Sequence, residues 1–145
     1  MVLAIVILIL SLDQLTKLLV TQSFVLYQSK AVIPGIFHLT LIHNKGAAFG
    51  ILKNQLLLFI ATSVLAILMI CSALRDKTPP KSKLYISSLT LILAGALGNL
   101  IDRLFFGDVI DFLDFRIWPV FNVADSAITV GAILLGIQLL KPEKK

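Results

Sequence analysis

Apolar residues in this chain fall into four long runs with shorter polar stretches between them. The runs cover residues 2–20, 55–74, 84–101 and 120–140. Each has roughly the ~20 residues that carry a helix across ~30 Å of hydrocarbon. The gap at residues 21–54 is too long and too apolar to be a plain loop. Within it Phe37, Leu39 and Leu41 alternate with His38 and Thr40, the two-residue period of a strand. Asn44-Lys45-Gly46 then predicts a turn, and Ala47-Ala48-Phe49-Gly50 follows with little polarity. The pattern therefore predicts a mainly α membrane protein. It has four transmembrane helices and a small β-sheet or flap between the first and second, all in a single domain of residues 1–145.

Composition supports the membrane assignment. The chain is 58% hydrophobic and 14% charged, with a mean hydropathy of +0.97, whereas soluble domains carry about 25% charged residues. The net charge of +5 has a definite location. Residues 75–83 contribute +3 around the helix-breaking Pro79-Pro80, and the tail at 141–145 contributes +2. Basic residues in short segments beside apolar runs mark the cytoplasmic side, so topology accounts for them better than nucleic-acid binding does. Both termini are then expected in the cytoplasm, with residues 21–54 and 102–119 on the extracytoplasmic side. The first run has no basic leader and no small-residue cleavage site, so it is expected to be a retained helix. Cys71, the single cysteine, lies within an apolar run, which leaves no disulfide framework and is read as a buried structural thiol.

The acidic residues draw attention to one stretch. Asp102, Asp108, Asp111, Asp114 and Asp125, five of the eight acids, lie between residues 99 and 126 where one membrane run ends and the next begins. Carboxylates near hydrocarbon are expensive and are functional candidates by default. In the fourth run Asn122, Asp125, Ser126 and Thr129 recur at helical spacing as one polar stripe. Lipid cannot satisfy such a stripe, so it must face other helices or a wet cavity. A helix starting near Val120 would place Asp125 on the order of 8 Å below the surface. In an extended segment Asp111 shares parity with Val109 and Leu113, which points it toward apolar surroundings; Asp108 and Asp114 read as solvated loop acids.

Asn99 and Arg103 fall one helical turn apart, with Asp102 adjoining Arg103 as its expected supporting partner. Arg103 could orient a carboxylate, bind a lipid headgroup or simply snorkel to the interface. Asp13 and Lys17 share a face of the first helix, acid first, as a structural ion pair or as a support for a site. Ala94, Gly95 and Gly98 predict close helix packing. The aromatic residues from Phe105 to Phe121, Phe112 among them, read as interfacial anchors. His38 and His43 lack companions for a metal site, and no serine has the context of an activated nucleophile. The chemistry left is a pair of aspartates that share a proton and activate water, which calls for no cofactor and no metal.

Five short stretches carry a resemblance: Asp13-Gln14-Leu15-Thr16-Lys17, Asn44-Lys45-Gly46-Ala47-Ala48-Phe49-Gly50, Gly98-Asn99-Leu100-Ile101-Asp102-Arg103, Val109-Ile110-Asp111-Phe112 and Phe121-Asn122-Val123-Ala124-Asp125-Ser126. In this order the chain resembles bacterial lipoprotein signal peptidases (signal peptidase II) over essentially its whole length. The resemblance implies an aspartic endopeptidase of the bacterial inner or plasma membrane. Its substrate would be a prolipoprotein, cut on the N-terminal side of a diacylglyceryl-modified cysteine. It places the catalytic pair on Asp111 and Asp125 and supporting roles on Asp13, Asn44, Gly46, Asn99, Arg103, Asn122 and Ala124. The residues themselves add Lys17 and Asp102 to that supporting set. Membrane lipids and the substrate are the expected partners, and a monomer is expected. The competing readings are a small proton or ion transporter using the intramembrane acids as a relay, and a scaffold whose polar residues only pack helices.

Overall fold

The computed structural model describes residues 1–46, 55–76 and 82–140. Four helices and three strands appear in chain order. They are α1 (Val2–Ser23), β1 (Ser29–Ile33), β2 (Phe37–Asn44), α2 (Leu56–Arg75), α3 (Lys83–Phe106), β3 (Val109–Asp114) and α4 (Val123–Leu139). The first three helices are long and apolar enough to cross a membrane. The fourth is a shorter apolar helix of 17 residues, about 25 Å at the usual rise.

Helix α3 is the centre of the bundle. In its most apolar stretch 56% of the residues are buried, against 11% in α1 and 6% in α2, most of whose leucines face outward. Small residues allow this. A Cβ on Gly95 would collide with the Ala124 carbonyl oxygen and lie 2.7 Å from Ile128 Cγ1 on α4. A Cβ on Gly98 would lie 2.6 Å from Asp13 Oδ2 on α1. Close backbone approach of this kind is how helices associate where lipid removes the hydrophobic drive. Ile70, Leu89 and Leu93 form the apolar contact between α2 and α3, with half-buried Cys71 packed against it.

The sheet is antiparallel in the order β1-β2-β3. Gly35, at φ +75°, closes the β1–β2 hairpin after Pro34, with the Ile36 N–H donating to the Ile33 carbonyl. Strand β3 pairs with β2 so that Asp111 faces Ile42 and Val109 faces Asn44. Val20, Leu41, Ile110 and Phe112 form the core between the sheet and α1.

The last third of the chain differs from expectation. Helix α3 continues to Phe106 instead of ending at residue 101, and stops where Gly107 adopts a left-handed conformation (φ 80°). Residues 109–114 are a strand, and the chain then returns so that Phe121 bridges Leu113. Helix α4 starts at Val123, three residues later than Val120, because Asn122 caps it. Asp125 therefore sits in the first helical turn and not about 8 Å along it. Phe112 is core, not an interfacial anchor. The predicted flap segment Ala47-Ala48-Phe49-Gly50 lies outside the described residues, as do the basic residues Lys77 and Lys81 and the tail at 141–145.

Candidate active site

The site is built where β3, the end of α3 and the start of α4 meet. Asp111 leaves β3 and is 2% exposed. Its Oδ2 accepts from the Asn44 amide at 2.9 Å and its Oδ1 from the Asn122 amide at 2.7 Å. Asn44 is itself fixed, because its Oδ1 accepts the Gly46 N–H at 3.0 Å across the turn after β2. Asp125 is the third residue of α4. Its Oδ1 accepts from the Asn99 amide at 2.7 Å, and its Oδ2 accepts the backbone N–H of Asn122 at 3.3 Å. The Asn122 side chain in turn accepts the Asp125 N–H at 2.8 Å, completing a reciprocal cap. A carboxylate here also lies at the positive end of the helix dipole.

Two amides join the carboxylates. Asn122 Nδ2 donates both to Asp111 and, at 3.1 Å, to Asn99 Oδ1; Asn99 Nδ2 donates to Asp125. Burial pushes the Asp111 carboxyl up to about 7, and the charge of Asp125 adds to that; the Asn44 and Asn122 amides and the Lys17 ammonium pull the other way. Asp111 thus exchanges its proton near neutral pH, where a group that gives and takes protons is most useful. Both carboxylates line a cavity of about 500 Å³, shared with Asn44, Asn99, Arg103 and Trp118. The Arg103 guanidinium lies 5.1 Å from the centre of the Phe59 ring on α2, which holds a cation beside the cavity.

Behind this layer lies a second, fully buried one. Lys17 Nζ is 2.8 Å from both Asp13 Oδ2 and Asp102 Oδ2, and 3.3 Å from Asn99 Oδ1. Asp13 Oδ1 accepts the Ala124 N–H at 2.9 Å, and Asp102 Oδ2 accepts the Ile110 N–H at 3.1 Å. Gln14, named in the sequence motif without a role, donates to Asp13 and Asp102 at 3.1 and 3.0 Å.

Of the site residues expected from sequence, Asp111, Asp125, Asn44, Gly46, Asn99 and Arg103 line the cavity, and Asn122 joins the two carboxylates from behind. Asp13, Lys17, Asp102 and Ala124 form the supporting layer. Three expectations need correcting. Asp102 is bound by Lys17 and not by Arg103, because adjacent helical residues point in different directions. Asp114 is 4% exposed and takes hydrogen bonds from Thr40 at 2.7 Å and Arg116 at 3.0 Å. Asp108 is 7% exposed and pairs with His43 at 3.1 Å. Neither is a solvated loop acid, since β2 supplies a partner to each.

Three helices long and apolar enough to cross a membrane, a shorter fourth and a small antiparallel sheet define a helical membrane protein, and two carboxylates line one cavity of it. A family model described as signal peptidase (SPase) II matches residues 5–141. The chain is 53% identical over 135 residues to a lipoprotein signal peptidase of Moorella thermoacetica, covering 93% of this chain and 89% of that one. It is 46% identical over 144 residues to one from Halothermothrix orenii, covering 99% and 98%. A solved bacterial membrane enzyme superimposes with a TM-score of 0.91 at 33% identity, over 99% of this chain and 93% of that one. The chain belongs to the signal peptidase II family. None of these comparisons supports the transporter alternative.

Proposed function

We propose that Asp111 and Asp125 are the reacting pair of this peptidase, which removes signal peptides from prolipoproteins. The observation that carries the assignment is the continuous link Asp111–Asn122–Asn99–Asp125 at the floor of one cavity. With one proton between them, the ionised carboxylate takes a proton from water, and the water oxygen attacks the scissile carbonyl carbon. The protonated carboxyl gives its proton to the carbonyl oxygen. Collapse of the tetrahedral adduct breaks the C–N bond: the proton taken from water passes to the leaving amine, and one hydroxyl of the adduct returns its proton to the carboxylate that had protonated the carbonyl oxygen, so the pair again holds one proton. Asn44, Asn99 and Asn122 hold the carboxylates, while Arg103 contributes positive charge at the cavity wall.

The substrate is read as a prolipoprotein whose cysteine carries a diacylglyceryl group, cut on the N-terminal side of that cysteine. A helix bundle with an apolar exterior and a cavity at one end suits such a substrate. The acyl chains stay among lipid and helices while the peptide reaches the carboxylates. The basic segment between α2 and α3 favours an orientation with both termini in the cytoplasm and the sheet on the extracytoplasmic side of a bacterial inner or plasma membrane. A monomer is the assembly we propose, because one chain supplies both carboxylates and the side chains that hold them and the proposed chemistry asks nothing of a second copy.

Asp111→Asn and Asp125→Asn enzymes, purified in detergent and given a lipidated lipobox peptide, are expected to lose cleavage while remaining folded. Normal turnover by either variant would overturn the assignment.

A further inference from the structure

Lys17 touches neither the cavity nor the two cavity carboxylates, yet every group it touches leads to one of them. Asp13, 2.8 Å away, holds the Ala124 N–H, and Ala124 directly precedes Asp125. Asp102, also 2.8 Å away, holds the Ile110 N–H, and Ile110 directly precedes Asp111. The third contact, at 3.3 Å, is to Asn99 Oδ1, whose amide nitrogen donates to Asp125. Lys17 is 2% exposed, and these three acceptors match its three N–H donors.

From this arrangement we infer that Lys17 is a positioning residue that sets Asp111 and Asp125 in register with each other; this rests on reading those two as the reacting pair. Two actions follow. First, one ammonium ties the backbone ahead of one carboxylate to the backbone ahead of the other, across three helices and a strand. Second, it fixes the Asn99 amide. With Lys17 and the Asn122 amide both donating to Oδ1, the nitrogen must face Asp125. A turned amide would set its own N–H groups against two donors and its oxygen against the Asp125 carboxylate, removing the donor that steadies it.

Removing Lys17 alone strands two buried carboxylates against each other, so Lys17→Met can fail to fold for that reason. The informative enzyme is Lys17→Met with Asp102→Asn. It keeps the net charge of the cluster and retains an oxygen at residue 102 for the Ile110 N–H; because it loses the oxygen that accepts from Gln14 as well as the bridging cation, Asp102→Asn alone is measured beside it and the effect of Lys17 is the difference between the two. Turnover per folded molecule would be measured with a lipidated lipobox peptide, using monodisperse elution and a cooperative thermal transition to count folded enzyme. The expected result is a folded enzyme whose kcat falls below that of Asp102→Asn by about ten-fold or more with KM little changed, as misplacement of reacting groups within an intact binding site demands. Two results overturn the inference. One is a kcat within about two-fold of Asp102→Asn, which no displaced reacting group would allow. The other is loss of folding in the charge-balanced enzyme, which would make the cluster a stability device only. Asp111→Asn measured alongside keeps the two readings apart. An inactive Asp111→Asn with a fully active Lys17 variant removes only the positioning role; an active Asp111→Asn removes the reacting pair itself.

Discussion

Asn122→Ala tests the largest number of contacts with a single change. Asn122 is fully buried, and its amide nitrogen serves Asp111, Asn99 and the Ile110 carbonyl while its oxygen caps α4. Alanine keeps the backbone half of the cap, in which the Asn122 N–H donates to Asp125. Loss of the side-chain cap costs about 1 kcal/mol. Loss of a donor to a buried carboxylate costs about 2 kcal/mol. Asn99 Oδ1 is not orphaned, because Lys17 still serves it. The expected destabilisation is therefore about 3 kcal/mol, read as a lower midpoint in thermal or denaturant unfolding in detergent.

The same change has a definite sign in the pH profile. The Asn122 amide favours the ionised form of Asp111, so removing it raises the Asp111 carboxyl further above about 7. A pair that must hold one proton loses activity as pH rises through its upper ionisation, seen as one macroscopic step. The alkaline limb, expected near pH 7 in the parent, should move upward in Asn122→Ala. Two kcal/mol at one carboxylate corresponds to about 1.5 pH units. Cleavage of the lipidated peptide across the neutral and alkaline range measures it. A limb that stays in place or moves downward would refute the proposed coupling of Asn122 to Asp111.

Three further variants are simpler to read. Gly95→Val should destabilise the bundle by about 1–3 kcal/mol, since the side chain meets the Ala124 carbonyl and Ile128 on α4; an unchanged unfolding midpoint would contradict the close helix approach. Burial alone would raise the Asp114 carboxyl, but hydrogen bonds from Thr40 and Arg116 and the guanidinium charge hold it below the usual carboxylate range. Its contribution to stability is therefore present above the ordinary carboxylate range and lost as pH falls through its lowered value. Asp114→Asn should flatten that acid-side loss in pH-dependent unfolding. Phe59→Leu removes the ring beneath Arg103 and should raise KM severalfold more than it lowers kcat if the guanidinium meets substrate, a split that steady-state kinetics resolves.

Much of the architecture was legible because a membrane imposes strong rules on sequence. Apolar runs of about 20 residues are rare outside a bilayer, and the alternation around His38 and Thr40 marks β2 by its period alone. Small residues at Gly95 and Gly98 likewise announced the close approach of α3 to its neighbours. Partners of buried charges were less legible, because they lie far apart in the chain. Asp108 and Asp114 look solvated beside their sequence neighbours, yet His43 and Thr40 on β2 meet them across the sheet. Strand parity points Asp111 toward apolar residues, yet Asn44 and Asn122 meet its carboxylate, and parity leaves Asp114 in solvent although β3 is covered on both faces. The start of α4 carried a readable signal that hydropathy overrode: Asn122 followed three residues later by Asp125 has the spacing of a reciprocal cap.

The supporting ion cluster also bears on how the chain enters a bilayer. Helix α1 is synthesised well before α3 and α4, so Asp13 and Lys17 meet lipid before Asp102, Asn99 and the Ala124 N–H exist. Their spacing of one turn lets them neutralise each other within a lone helix, lowering the barrier to its insertion. Later helices then find a preformed dipole instead of a bare charge, with one acid oxygen ready for Ala124 and a cation ready for Asp102. The pair that ties α1 to α3 and α4 in the folded chain is thus also spaced to lessen the cost of placing α1 in lipid.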